Sequence, residues 1–135
     1  MTADDRPRAG TGRRVHLTLD HDAGAPSHLR AVLRAVAPGW GLRASVLERA
    51  LLLGSELATN AVLHGAEPVT ATISSDNGLL RIAVHDADPR HPAHRAPAPG
   101  SAGGAGLHLF DATAHAWGVD DEARGKTVWC ILLSP

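Results

Sequence analysis

Ser45-Val-Leu-Glu48-Arg-Ala-Leu51-Leu-Leu-Gly54-Ser-Glu56-Leu57-Ala58-Thr-Asn60-Ala61-Val62-Leu-His64-Gly65 decides the fold class of this 135-residue chain. Leu47, Leu51, Gly54, Leu57, Ala58, Ala61 and Val62 recur at three- and four-residue steps, the mark of a helix with one apolar face. Ser45 and Glu48 stand as a capping box, in which the hydroxyl oxygen accepts from an orphan amide and the carboxylate reaches back. Gly65 is placed to stop the helix at C′. The spacing predicts a helix of about 19 residues, about 28 Å long. Glu56 and Asn60 lie four apart and project from one face, with His64 a further turn on. Burying a carboxylate is costly unless it is paired or wet, so polar groups set into an apolar stripe suit a site. On spacing alone the pair reads as a solvated face or an (i, i+4) hydrogen bond, since such pairs are common.

Outward from this helix, the pattern changes period. Arg14 to Asp20 alternates Val15, Leu17 and Leu19 with His16, Thr18 and Asp20, a half-buried strand. Ser27 to Ala37 puts Leu29, Val32, Leu33 and Val36 at helical spacing, with Pro26 near its start and Pro38-Gly39 as its expected stop. Val69 to Ser74 and Leu79 to His85 read as strands joined through Asp76-Asn77-Gly78, and Asn-Gly is a strong hairpin signal. Leu107 to His115 suits a short helix. Ala116 to Val119 and Thr127 to Leu133 read as a closing hairpin turning over Asp120 to Gly125. The order β-α-α-β-β-loop-α-β-β predicts an α+β fold: a two-layer α/β sandwich, with helices on one face of a mixed, mostly antiparallel sheet.

Composition narrows what such a fold does. Aromatic residues are 3%, with no Tyr and one Phe, so the core is aliphatic and a base-stacking platform for nucleic acid is not expected. The net charge of -1 supplies no broad cationic field for DNA or a membrane surface. One cysteine, Cys130, excludes an internal disulfide and a multi-Cys zinc site, and suits a cytoplasmic protein. No apolar run reaches the ~20 residues that span a bilayer. Residues 1–12 are polar, without the apolar stretch of a signal peptide, and are expected to be an unstructured lead to a single domain over 13–135.

Four further features bear on chemistry. Asp86 ends a strand and opens a loop, where a carboxylate accepts donors from a ligand or merely makes a turn. Residues 87–106 are rich in Pro, Gly, Ala and His, and a long loop in a small domain is functional or disordered. Gly103-Gly104-Ala105-Gly106 precedes the short helix, where small residues admit a phosphate to backbone amides. No Lys-Ser/Thr follows its last glycine, so it is not a Walker A loop. Gly125-Lys126-Thr127-Val-Trp129 leads into a strand, and its ordinary reading is a β-turn followed by an edge lysine. Of nine His, His85, His91 and His94 gather near the loop, but none has the spacing of a His-Glu-x-x-His metal site. No Gly-x-Ser-x-Gly elbow is present.

Taken in order, Glu56-Leu-x-x-Asn60-Ala-Val-x-His64, Asp86 after a strand, Gly104-Ala-Gly106-Leu107 and Gly125-Lys-Thr127-Val-Trp resemble the Bergerat-fold (GHKL-type) ATPases. Within them the chain looks most like the small bacterial anti-sigma-factor serine/threonine kinases, from about Val15 to Leu133. The resemblance implies ATP and Mg²⁺ as cofactors. It implies Asn60 as the Mg²⁺ ligand, Glu56 as the base that activates a hydroxyl or water, and Asp86 as acceptor for the adenine amino group. His64 and Leu107 would line the nucleotide. Gly104 and Gly106 would let a lid over 87–106 close on the phosphates, and Thr127 would support the adenine end. Few protein oxygens plus phosphate suit Mg²⁺, and positioning dominates phosphoryl transfer.

Two departures stand out. The first glycine box, usually Asp-x-Gly, is Asp86-Ala87-Asp88, and Ala105 stands where an Arg often lies, a charge that Arg90 or Arg95 would have to replace. The implied activity is an ATP-dependent protein serine/threonine kinase that phosphorylates an antagonist and binds a sigma factor. No direct nucleic-acid or membrane partner is implied, and homodimerisation is left open. The departures suit an alternative: a non-catalytic ATP- or partner-binding module with a degraded lid. A detached histidine-kinase catalytic domain is the third reading, though the chain shows no dimerisation helix or phospho-accepting His segment.

Overall fold

A computed structural model describes residues 12–88 and 109–135. The first strand, β1 (Arg13–Leu19), turns Val15, Leu17 and Leu19 inward and leaves Arg14, His16 and Thr18 exposed, as alternation requires. Helix α1 (Ala25–Trp40) buries Ala25, Leu29, Leu33 and Ala37, one residue per turn on one side. It runs past Pro38-Gly39, where a stop was expected. Pro38 falls in the last turn, where the hydrogen bond it forgoes matters least. The end comes at Gly41 (φ 68°, ψ 30°), whose amide donates to the Pro38 carbonyl while Leu42 donates to Ala37. That pair of bonds is a left-handed glycine closure.

Helix α2 (Ala44–His64) buries Val46, Ala50, Leu53, Gly54, Leu57, Ala58 and Ala61. Its start corrects the capping-box expectation. Arg43 is the N-cap, its carbonyl accepting from Leu47, and no side chain caps the helix. Ser45 is already inside the first turn, because the short link after Gly41 brings the chain into helix early. Gly65 does end the helix, but with extended backbone (φ -111°, ψ -171°), not left-handed. The reason for glycine there is space, since a Cβ would meet the Asp86 side chain.

Strands β2 (Val69–Asp76) and β3 (Leu79–Asp86) form the expected hairpin, with positive φ at Asn77 (51°) and Gly78 (77°) as a two-residue turn of this hand needs. Residues 109–113 make a helical turn inside the span expected for the short helix. The last hairpin is longer than expected. β4 (Ala116–Glu122) pairs with β5 (Gly125–Leu133) down to Glu122 opposite Gly125, so only Ala123-Arg124 turns. Asp120, Asp121 and Glu122 read as turn residues in sequence. They lie on an edge strand, where charge is tolerated and discourages further pairing.

The five strands form one sheet in the order β1-β2-β3-β5-β4, every neighbouring pair antiparallel. Its inner face presents Leu19, Val69, Ala71, Ile73, Leu80, Ile82, Val84, Val128, Cys130 and Leu132 to the buried stripes of α1 and α2. This is the expected two-layer α+β arrangement. Gly54 sets the spacing of the helices: a Cβ there would lie 3.1 Å from Leu33 Cδ1 and 3.5 Å from Leu29 Cδ2. On the outer face Arg81 lies over the Trp129 ring, 5.7 Å from its centroid.

Candidate functional site

Asp86, at the C-terminal end of β3, continues the inner-face series Leu80, Ile82, Val84 and so points under the helices, 1% exposed. A carboxylate in such a place must be bonded. Its Oδ1 accepts from the amides of Asp88 (2.9 Å) and Ala66 (3.4 Å), and its Oδ2 accepts from Lys126 Nζ (2.5 Å). Lys126 stands opposite Asp86 in the β3–β5 ladder, is 3% exposed and is the only lysine of the chain. The edge-lysine reading is therefore wrong: Lys126 continues the inward series Val128, Cys130, Leu132. Losing one partner of such a buried pair costs about 3–5 kcal/mol.

The backbone is shaped around this carboxylate. A Cβ on Gly65 would lie 2.4 Å from Asp86 Cγ and 2.6 Å from the Ala61 carbonyl oxygen. A Cβ on Gly125 (φ 117°) would fall 1.9 Å from the Asp86 carbonyl oxygen. Helix end, strand end and strand start thus close on Asp86 from three sides. Asp88, the departure from the glycine box, is itself 5% exposed, and its amide serves Asp86.

Glu56 and Asn60 are both half-buried on α2. At 100° per residue they border the buried stripe on the flank away from Gly54 and Ser55, the flank that meets α1 through Leu29, Leu33 and Arg30. Among the described residues neither side chain makes a hydrogen bond or ion pair, so the (i, i+4) bond does not form. Two adjacent, partly sheltered oxygen acceptors of this kind fit a hard cation shared with phosphate. His64 is exposed in the last turn of α2 and engaged in an interaction of its own.

Thr127 is not where the sequence reading needs it. Strand alternation turns it to the outer face, opposite to Asp86, where it is the ladder partner of His85. Its Oγ1 donates to Glu122 Oε2 (3.2 Å), and Glu122 Oε1 lies 3.2 Å from His85 Nε2. Gly104, Gly106 and Leu107, with Ala105, Arg90, Arg95, His91 and His94, lie outside the described residues, as does the lid beyond Asp88 and the lead before Gly12. Among the described residues no group of three or more His, Cys, Asp and Glu is placed to hold a metal, and no helix is long and apolar enough to cross a membrane.

The sequence model of the histidine kinase-like ATPase domain matches residues 19–132. No curated protein matches in sequence. Solved structures share the fold, two of them as follows. One holds the RsbU and RsbW domains of Rv1364c from Mycobacterium tuberculosis, with a TM-score of 0.67 at 23% identity over 90% of this chain and 32% of that one. The other is the histidine kinase domain of a blue-light activated histidine kinase from Erythrobacter litoralis, with a TM-score of 0.53 at 21% identity over 81% of this chain and 60% of that one. The chain therefore spans less than two thirds of either.

Proposed function

Because the chain belongs to the histidine kinase-like ATPase family, we propose that it is an ATP-binding regulatory protein of the anti-sigma-factor serine/threonine kinase type. The observation that carries this is the pairing of Glu56 with Asn60. Both oxygen-bearing side chains are partly sheltered and unbonded among the described residues, on a helix that closes on the buried carboxylate of Asp86. A helix has no packing reason to shelter unbonded acceptors side by side, whereas a metal–phosphate site does.

In this reading Asn60 would hold Mg²⁺, which would supply charge neutralisation at the phosphates. The Glu56 carboxylate takes the proton of a serine or threonine hydroxyl on a partner protein. The hydroxyl oxygen then bonds to the γ-phosphorus of ATP as the bond to the leaving ADP breaks. Asp86 would accept from the adenine amino group, Gly104 and Gly106 would let the loop close over the phosphates, and His64 and Leu107 would line the nucleotide. The partners proposed are an antagonist protein as substrate and a sigma factor as the protein restrained, both in the cytoplasm.

One observation favours a second reading, a non-catalytic partner-binding module: Lys126 already engages the Asp86 oxygen that a base would need. Calorimetric titration with ATP and Mg²⁺ separates the two. The first reading expects binding in the micromolar to millimolar range, loss of at least about tenfold in affinity for Asn60→Ala, and for Glu56→Gln retained binding with phosphoryl transfer to the antagonist down at least about 100-fold. No binding heat and no thermal shift at millimolar ATP would sink the nucleotide reading, and a Glu56→Gln protein that still phosphorylates at the wild-type rate removes the assigned base.

A further inference from the structure

The carboxylate expected to receive the nucleotide base is already engaged from within the chain. A carboxylate offers about four acceptor positions. Those of Asp86 receive two backbone amides and the Lys126 ammonium, and a further interaction adds to these. With 1% exposure, and with Gly65 and Gly125 pressed against it, the side chain has no open surface for another donor. Its donors differ in how they can leave. The amides of Ala66 and Asp88 belong to main chain anchored between α2, β3 and β5, and the Ala87 amide in the same stretch donates to the Ala66 carbonyl at 2.9 Å. Lys126 reaches Oδ2 through a flexible four-carbon stem, so its ammonium alone can depart without moving backbone.

We propose that Lys126 is an internal competitor of the nucleotide base: the Lys126 ammonium and the 6-amino group of adenine use the same oxygen, Asp86 Oδ2, and ATP is held only when Lys126 swings away. This rests on the assignment of Asp86 to the adenine amino group. Each is a cationic or neutral N–H donor to one carboxylate oxygen, and the two exclude each other there. The lysine thereby lowers ATP affinity in the resting protein. It also makes the base site selective for a ligand that brings its own amino donor, since a purine without one leaves Lys126 in place.

The test is calorimetry on wild type, Lys126→Thr and Lys126→Met, with ATP and with the triphosphate of unsubstituted purine riboside, which lacks the 6-amino group, alongside thermal unfolding without nucleotide. The expected result has opposite signs in the two readouts. Both variants melt at lower temperature, having lost a buried ion pair. Both bind ATP at least about tenfold more tightly, the worth of one charge-assisted hydrogen bond no longer opposed. The gain vanishes with the purine riboside triphosphate. A merely structural lysine would weaken both properties together, so unchanged or weaker ATP binding by a folded variant overturns the proposal, as does an equal gain with the purine analogue. Should neither variant fold, the single lysine of the wild type gives a second measurement. In protein labelled with ¹⁵N-lysine, its Nζ resonance is expected to shift or exchange-broaden on saturation with ATP. A resonance unmoved by saturating ATP overturns the proposal. If ATP binds to none of the proteins, the ATP reading itself fails. If ATP binds wild type and the variants bind it more weakly, that reading stands and only the competitor role falls.

Discussion

Asp86, Lys126 and Cys130 show how alternation along a strand decides chemistry. All three point to the interior, and each meets burial differently. Asp86 and Lys126 neutralise one another at 2.5 Å. Cys130, 0% exposed, stays neutral instead: burial pushes its thiol up from 9.0 to about 12, against smaller lowering from a hydrogen bond with the Ile82 backbone and the Arg81 charge. The sign of its effect on stability follows. Well below pH 9 the thiol is protonated in folded and unfolded chains alike and contributes no pH dependence. Between about pH 9 and 12 the unfolded chain releases the proton and the folded chain keeps it, so stability falls as pH rises. Denaturant titrations from pH 8 to 11 are expected to show a shallower alkaline decline for Cys130→Ala than for wild type, and equal slopes would contradict the burial account. The same parity of residues was readable beforehand. Counting back in twos from Val128 places Lys126 inward, and counting forward from Val84 does so for Asp86. What no count along the chain supplied is that β5 lies beside β3 in the register that sets these two face to face.

At the scale of elements, two glycines hold three elements together. Gly65 ends α2 against the Asp86 side chain, and Gly125 starts β5 against the Asp86 carbonyl. Gly65→Ala is expected to cost about 1–3 kcal/mol through overpacking. Gly125→Ala is expected to cost more, since its φ of 117° is strained for any L side chain and its Cβ would come within 1.9 Å of main chain, against 2.6 Å for Gly65. Chemical denaturation of each variant measures the loss, and a Gly125→Ala protein as stable as wild type would contradict the close approach. Element existence was legible because periodicity is local: the α2 stripe, the β1 alternation and the Asn77-Gly78 turn each depend on a few neighbouring side chains. Boundaries were less so. Ser45 and Glu48 have the spacing of a capping box, yet α2 starts at Ala44 with Arg43 as its N-cap, because the preceding Gly41 closure delivers the chain there. Pro38 failed to stop α1 for a similar reason, since a proline in a last turn breaks one bond and the glycine three residues later completes the termination.

For the whole molecule, a core between a sheet face and two helices, aliphatic apart from Phe110 among the described residues, carries the stability. Leu53 of α2 is 0% exposed within it. Leu53→Ala is expected to cost about 2–5 kcal/mol, read as a lower midpoint in denaturant without a change in fold, and a loss under about 1 kcal/mol would mean that the layer is looser than described. The two-layer α+β class, the element order, the Glu56–Asn60 pairing on one helix flank and the family were legible in the chain, because hydrophobic period, turn chemistry and ordered motifs act over short stretches of it. Packing of the strands was needed to show that every strand pair is antiparallel, that Thr127 is bonded to Glu122 beside His85, and that Lys126 sits on the Asp86 carboxylate. The physical reason is that a side chain's face follows from its own strand, whereas its partner follows from which strand packs beside it. In this chain 40 positions separate Asp86 from Lys126, and sheet order alone brings them together.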